Sequence, residues 1–226
     1  MRTRTSVPRR PPLAKPIVTY DDLANQLRRW TNRIDLEDDD IYTFLYFAGS
    51  AANQILRVPS MEFTDILEVT EGGKIVIPPD FLELRSLTAY WNDDEGVPLE
   101  RVAWDQFVNY RNNEEGPRPK FFARQGPYIW LTPEPSPGTK VTIHYYRTMP
   151  DISPVEQRNW LSDLSPMAYL YGGLHYAYLF LQDEERAEYW KGKYQTELER
   201  IQHLADSLEH RGSSLTVRLR DTSGVR

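Results

Sequence analysis

The spacing of apolar residues changes twice along this sequence of 226 residues, and that change most constrains the fold. Residues 17–58 and 151–210 repeat apolar side chains every three or four positions, which is typical of amphipathic helices. Residues 59–150 alternate apolar and polar side chains in short runs separated by Gly and Pro, which predicts antiparallel strands. We therefore expect an α+β fold, in which a helical bundle from the N- and C-terminal segments carries an inserted antiparallel β-domain.

The first helical segment contains two predicted helices. Thr19 and Asp22 have the spacing of a capping box, so one helix should begin directly after Thr19. A second helix is expected from about Leu36, because acidic residues follow it where a helix dipole favours them. In the first helix, Leu23, Leu27 and Trp30 mark one apolar face. The second should bury a stripe at helical spacing: Ile41, Phe44, Leu45, Ala48, Ala52 and Ile55.

The central segment predicts seven strands and one short helix. Glu71-Gly72-Gly73 favours a hairpin turn between the first two strands. In the last strand, Val141, Ile143 and Tyr145 share one face because side chains alternate along a strand. The helix is expected over residues 104–111. The strands are expected over residues 62–70, 74–77, 84–91, 97–99, 118–124, 128–132 and 140–147.

Three more helices are predicted after residue 150. A short one covers residues 155–161, and Ser165-Pro166 then opens a helix that is apolar on all sides and should be buried. Gly172 and Gly173 lie inside it, and we interpret them as a place where a neighbouring helix packs closely. Asp183 caps the last helix. Its apolar stripe is Ala187, Trp190, Tyr194, Leu198, Ile201, Ala205 and Leu208.

Both terminal segments are basic although the whole sequence has a net charge of −6. Residues 1–16 form a Pro-rich arm without acids, whose candidate contact residues are Arg2, Arg4, Arg9 and Arg10. Residues 211–226 form a basic tail in which Leu215, Thr216, Val217, Arg218, Leu219 and Arg220 alternate like a strand. Such a strand can add to a sheet in another chain. The alternative is a tail without a function.

The sequence predicts no catalytic residue, no metal site and no cofactor. It has no cysteine, and His203 and His210 are seven positions apart rather than the three or four of a helical metal pair. We interpret His175 as a hydrogen-bonded core histidine. The acids at 37–40 suit a helix N-terminus, and those at 93–95 suit an exposed turn.

Two other functions stay open from the residues alone. Abundant carboxylates would be compatible with a glycan hydrolase, whose chemistry needs a pair of acids. Aromatic residues in the β-segment would be compatible with a carbohydrate-binding module, although aromatics are ordinary in strands. The aromatics concerned are Trp91, Trp104, Tyr110, Tyr128 and Trp130.

Three groups of segments, taken in their order along the chain, form a pattern more specific than any one of them alone. The first is Ile77-Pro78-Pro79-Asp80-Phe81 followed by the strand at 84–90. The second is a strand at 128–132, a proline loop with Gly138, and a strand ending in Tyr145-Tyr146. The third comprises Trp160-Leu161, the segment 169–174, and the segments 183–187 and 190–194 of the last helix. In order and spacing, these segments resemble the head-to-tail adaptor (connector) proteins of tailed phages over about residues 19–208. Met167 departs from the acid expected at that position, and this departure leaves the resemblance intact.

The resemblance implies a structural protein without catalytic residues. It implies a ring, usually of twelve copies, between the portal protein and the tail tube or nozzle protein, with double-stranded DNA passing through the lumen. The resemblance implies that the protein lies at the head-tail interface of the virion. It would be assembled in the host cytoplasm, and no membrane would be a partner. We predict that Leu215–Arg220 docks on the portal, and that the N-terminal arm contacts a neighbouring subunit or the tail.

Overall fold

The computed structural model describes residues 17–90, 96–113, 116 and 118–210. These residues form helices and two mainly antiparallel sheets, which confirms the predicted α+β class. The described helices are α1 (Tyr20–Thr31), α2 (Asp38–Ile55), α3 (Trp104–Asn113), α4 (Trp160–Leu164), α5 (Pro166–Phe180) and α6 (Glu184–His210). The described strands are β1 (Glu62–Glu68), β2 (Lys74–Val76), β3 (Phe81–Tyr90), β4 (Gly96–Pro98), β5 (Glu100–Arg101), β6 (Phe121–Gln125), β7 (Tyr128–Thr132) and β8 (Lys140–Arg147).

The chain divides into two compact units. The described residues 17–51 and 151–197 belong to the first unit, and the described residues 52–150 and 198–210 belong to the second. The first unit is built from helices, and the second contains both sheets. Within the described ranges, none of the helices is long and apolar enough to cross a bilayer.

Helix α1 begins as the sequence predicts. The Thr19 side chain accepts from the Asp22 amide, and the Asp22 carboxylate accepts from the Thr19 amide, which completes a capping box. Leu23 and Leu27 are fully buried. Trp30 is less covered than these two leucines, because its side chain stays 42% exposed and lies beside Trp190, with 5.5 Å between ring centroids.

The apolar stripe of α2 is buried over most of its length. Its first five predicted members are all buried, but Ile55 is 51% exposed and the adjacent Leu56 is fully buried instead. Helix α2 ends at Ile55, so the residues that follow no longer keep the helical spacing on which the prediction rested. Leu208 at the far end of α6 is likewise exposed, whereas Tyr194 and Leu198 of the same stripe are buried.

The segment before α5 differs from the prediction. No helix covers residues 155–158; Ser153 closes a turn by accepting from the Glu156 amide, and Val155 is exposed. Helix α4 begins after Asn159, whose side chain accepts from the first amides of that helix. Ser165 does occupy the N-cap position of α5. Its hydroxyl does not cap the helix, however, because it donates to Glu197 Oε1 at 2.5 Å.

The second unit contains two four-stranded sheets that share one apolar core. The first sheet has the order β1-β8-β3-β4, and the second has the order β2-β7-β6-β5, in which β5 and β6 run parallel. Val141, Ile143 and Tyr145 of β8 are buried on one face, as the alternation predicts. They belong to the same core cluster as Ile75 and Ile129 of the second sheet.

The predicted hairpin between β1 and β2 is wrong. The turn forms, since Gly72 and Gly73 have positive φ and Thr70 bridges to Lys74. Beyond that bridge, however, β1 pairs with β8 and β2 pairs with β7, in different sheets. Val69 before the turn and Ile75 after it are both buried in the shared core. Burying both residues sends the chain from one sheet to the other at this point.

Candidate assembly surface

Helix α5 is positioned in the first unit by its two glycines. A Cβ atom built on Gly172 would lie 2.6 Å from the Cβ of Ala48 in α2 and 3.1 Å from the ring of Tyr194 in α6. A Cβ on Gly173 would lie 3.1 Å from both methyl groups of Leu27 in α1. Since each contact is closer than an ordinary van der Waals contact, the absence of a side chain lets the three neighbouring helices approach α5.

Two buried tyrosines hold the same helices in register. Tyr194 of α6 donates to the carbonyl of Ala48 at 2.5 Å, and the side-chain amide Nδ2 of Asn159 donates to Tyr169 Oη of α5 at 2.6 Å. Burial raises the pKa of Tyr169 far above its ordinary value, so this hydroxyl stays protonated in the folded protein. A Cβ on Gly49 would lie 3.1 Å from that hydroxyl oxygen. The positions of α2, α5 and α6 are therefore fixed by small residues and hydrogen bonds together.

The exposed surface of α2, together with adjacent residues of α5, carries aromatic side chains that this packing leaves wholly or partly uncovered. We call this set the aromatic strip. Its members are Tyr42, Tyr46 and Phe47 of α2 and Tyr176 and Phe180 of α5. Centroid distances between successive rings are 6.3 Å for Tyr42–Tyr46, 5.9 Å for Tyr46–Phe47 and 5.3 Å for Phe47–Tyr176. Phe180 instead contacts the buried ring of Phe44, with 5.6 Å between centroids.

The strip exposes large apolar surfaces. Tyr42, Tyr46 and Phe47 are 37%, 41% and 44% exposed, and Phe180 is 56% exposed. Tyr176 is half-buried, and this burial raises the pKa of its hydroxyl. Contiguous exposed apolar surface on a folded domain marks interaction sites, and aromatic residues are enriched in protein interfaces. The chemistry available here is therefore the burial of apolar area against another protein.

The sequence analysis did not single out the aromatic strip. A signal was present, because Tyr42 and Tyr46 are four positions apart and lie next to the buried stripe rather than in it. Aromatic residues beside a buried stripe also occur at the margins of ordinary cores. Only the positions of α5 and α6 show which side of α2 is covered.

A second aromatic group surrounds Trp190 on α6. Its ring lies 5.5 Å from Trp30, 5.5 Å from Tyr171 and 5.0 Å from Tyr189 between centroids. Tyr189 is 57% exposed, but Trp190 and Tyr171 are half-buried. Trp30 is 42% exposed as well, so this group is a second partly exposed aromatic surface of the helical unit.

The charged tails named from the sequence lie outside the described residues. This applies to the arm residues Arg2, Arg4, Arg9 and Arg10 and to the tail residues Leu215, Thr216, Val217, Arg218, Leu219 and Arg220. The structure places Gly172 and Gly173, which are buried at the centre of the helical unit.

Two of the histidines and one of the acids named from the sequence have structural contacts. His175 Nδ1 lies 3.0 Å from the carbonyl of Ala187, as expected for a hydrogen-bonded histidine, although the ring is half-buried rather than buried. His144 Nδ1 lies 2.8 Å from Thr64 Oγ1. Asp38, in the first turn of α2, pairs with Arg28 at 2.6 Å. Over residues 17–90, 96–113, 116 and 118–210, no three His, Asp or Glu side chains group as a metal site.

The aromatic residues of the β-segment pack mainly against one another and against cations. Tyr110 stacks on Phe121 with 4.4 Å between centroids. Trp130 has the Arg111 guanidinium 5.4 Å and the Lys74 ammonium 5.5 Å from its ring centroid. Trp91 lies outside the described residues. A sugar-binding platform needs open ring faces, and these contacts cover part of the ring surface of Tyr110 and Trp130.

A comparison with protein families gives one match that spans both units. The model of a family described as SU10 adaptor protein matches residues 18–218, which is most of the chain. A search of curated proteins finds no match.

Proposed function

Because the chain belongs to the SU10 adaptor protein family, a phage head-tail adaptor family, we propose that it forms a ring between the portal and the tail of a virion. Proteins of such a family are structural virion components, so self-association is the property that this function needs. The ring would contain about twelve copies, as the resemblance to head-to-tail adaptors implies. It would be assembled in the host cytoplasm.

The observation that carries this proposal is the aromatic strip. A ring requires each copy to offer a surface that another copy covers, because its contacts are heterologous. The strip supplies exposed aromatic rings on two adjacent helices, and burying aromatic side chains dominates the energy of many interfaces. We assign the strip to the contact between neighbouring copies of the chain.

In this proposal the helical segments and the β-segment have different roles in the ring. Residues 17–58 and 151–210 act as a helical bundle that packs beside its neighbours, and residues 59–150 act as an inserted β-domain. The basic tail residues Leu215–Arg220 dock on the portal as an added strand. DNA passes through the lumen without sequence-specific contacts. The net charge of −6 suits that passage, since tight binding of phosphates requires clustered Lys and Arg.

Replacing rings of the strip tests the proposal. The double variant Tyr46→Gln with Phe47→Gln should keep the fold, because both side chains are exposed, and should weaken assembly at least about tenfold. Assembly is measured by mass photometry and electron microscopy, with and without a candidate portal protein. The matched control is Ile34→Gln with Val155→Gln, two exposed apolar residues of the same unit outside the strip.

The control variant should assemble like the unchanged protein. Equal assembly of the strip variant and the control would contradict the assignment of the strip. A protein that stays monomeric with and without portal would contradict the ring itself.

Deleting residues 211–226 should abolish attachment to the portal and leave the fold intact. Normal attachment of this deletion variant would contradict the proposed role of the tail.

A further inference from the structure

Strand β1 is the longest strand at a sheet edge in the described part of the second unit. It occupies the end of the order β1-β8-β3-β4 and pairs with β8 along its full length, Glu62–Glu68. Within the described residues, no strand pairs with its other side. The edge strands of the second sheet, β2 and β5, have only three and two residues. An edge of seven residues is a template to which another strand can add.

Among the described residues, the backbone groups on the outward side of β1 are not paired with another strand. The Ile66 amide bonds to the neighbouring Asp65 carboxylate at 2.8 Å rather than to a strand. Since backbone groups alternate sides along an antiparallel strand, Thr64 and Glu68 also direct their amides away from β8. Ile66 is 62% exposed and Phe63 is 37% exposed. An incoming strand would therefore meet outward backbone groups and apolar side chains together.

The charges of β1 specify the kind of strand that fits. The strand carries Glu62, Asp65 and Glu68 and no basic residue. Glu62 forms an ion pair with Arg85, and Glu68 lies opposite Lys140 in the register. Asp65 instead satisfies the outward amide of Ile66. In the complex, the Ile66 amide would donate to a carbonyl of the added strand instead of to Asp65. The carboxylate of Asp65 could then bind an arginine of that strand.

The N-terminal arm contains a segment with the matching properties. Residues 2–7 read Arg-Thr-Arg-Thr-Ser-Val, which is six residues without an acid, ending directly before Pro8. Thr3, Thr5 and Val7 are β-branched, and such residues favour strands. Arg2 and Arg4 would lie on one face of the strand, because side chains alternate. This segment lies outside the described residues.

We propose that residues 2–7 of one copy add as a strand to the β1 edge of a second copy. The proposal rests on the proposed function, because it supplies a ring contact between two different surfaces, an arm on one subunit and an edge on the next. The partner of the basic arm is then the β1 edge of a neighbouring subunit, whose side chains include Glu62, Asp65 and Glu68. Main-chain hydrogen bonds provide the affinity, and Asp65 with Arg2 or Arg4 provides the selectivity.

Cysteine cross-linking of the full-length chain tests the pairing, since the sequence has no cysteine of its own. Thr5→Cys and Ile66→Cys are placed in separate chains, which are mixed, assembled with or without portal and oxidised. Cross-linked dimers should form in the assemblies. Thr5→Cys mixed with Val76→Cys is the matched control, because Val76 is 56% exposed on the short edge strand β2. The control should give no dimers, and Arg2→Glu with Arg4→Glu should reduce the Ile66 cross-link at least about fivefold.

Each other outcome overturns the proposal in a distinguishable way. Assemblies without the Ile66 cross-link would overturn it and leave the ring function standing. Cross-linking within one chain carrying both cysteines, without dimers in the mixture, would make the contact intramolecular. Cross-linking of Ile66→Cys to Val217→Cys instead of Thr5→Cys would assign the edge to the C-terminal tail. A protein that neither assembles nor cross-links would overturn both the ring and this contact.

Discussion

The two sides of helix α2 are both apolar, yet they have opposite surroundings. On the inner side, Ala48 lies so close to Gly172 that a methyl group would not fit between them, and Leu45 packs against Gly173. On the outer side, Tyr46 and Phe47 keep more than two fifths of their surface exposed. Small residues on one helix admit another helix at close range, whereas large rings on the other side remain available for a partner. Apolar character alone therefore does not distinguish a core from an interface.

The inner side of α2 should tolerate almost no added volume. Gly172→Ala is expected to destabilise the fold by about 1–3 kcal/mol, because the new methyl group would force apart two helices that buried neighbours hold in place. Chemical denaturation followed by circular dichroism measures this effect. A loss below about 0.5 kcal/mol would show that the contact between α2 and α5 is loose, and the contrast between the two sides of α2 would disappear.

The hydrogen bond from Tyr194 to Ala48 should contribute less than the close packing. Tyr194→Phe keeps the buried ring and removes the donor, so we expect a loss of about 0.5–1.5 kcal/mol. The same denaturation measurement applies, and Tyr189→Phe is the control because Tyr189 is exposed on the same helix. Equal stability of the two variants would mean that this bond does not fix α6 against α2.

A glycine outside the packed region should respond in the opposite direction. Gly192 lies in α6, and no atom lies within 4 Å of the position that a Cβ would occupy there. Gly192→Ala should therefore stabilise the protein by about 0.4–1 kcal/mol, because alanine reduces the freedom of the unfolded chain and favours helix. The stability of this variant is compared between the monomer and the assembly. Destabilisation of the assembly alone would indicate that the surface around Gly192 is covered in the assembled protein.

Much of the fold follows from local patterns. The capping box of Thr19 and Asp22, the alternation in β8 and the turn of the β6–β7 hairpin at Gly126 all depend on residues close in sequence. Strand pairing depends on distant residues, which is why the predicted pairing of β1 with β2 was wrong. The burial of Val69 and Ile75 in a core shared by two sheets outweighed the local preference of Gly72-Gly73 for a hairpin.

The candidate surface could be predicted less fully than the fold from the sequence. The residues of the aromatic strip are visible in the sequence, and so are the glycines of α5, but no local pattern pairs the glycines with Ala48 and Leu27. The exposed edge of β1 was equally hidden, because an edge is defined by which strands lie beside it in space. The tails were recognised from charge and alternation, which need no tertiary information.

The sequence by itself determined most helices and strands, the basic arms and the likeness to phage adaptors, because periodicity and charge are properties of short segments. Tertiary structure alone decided which apolar side chains of α2 are covered and which strand lies at a sheet edge. The physical reason is that burial depends on the volume left between elements far apart in the chain. At Gly172 that volume is smaller than a methyl group, and beside Phe47 it is open to a partner.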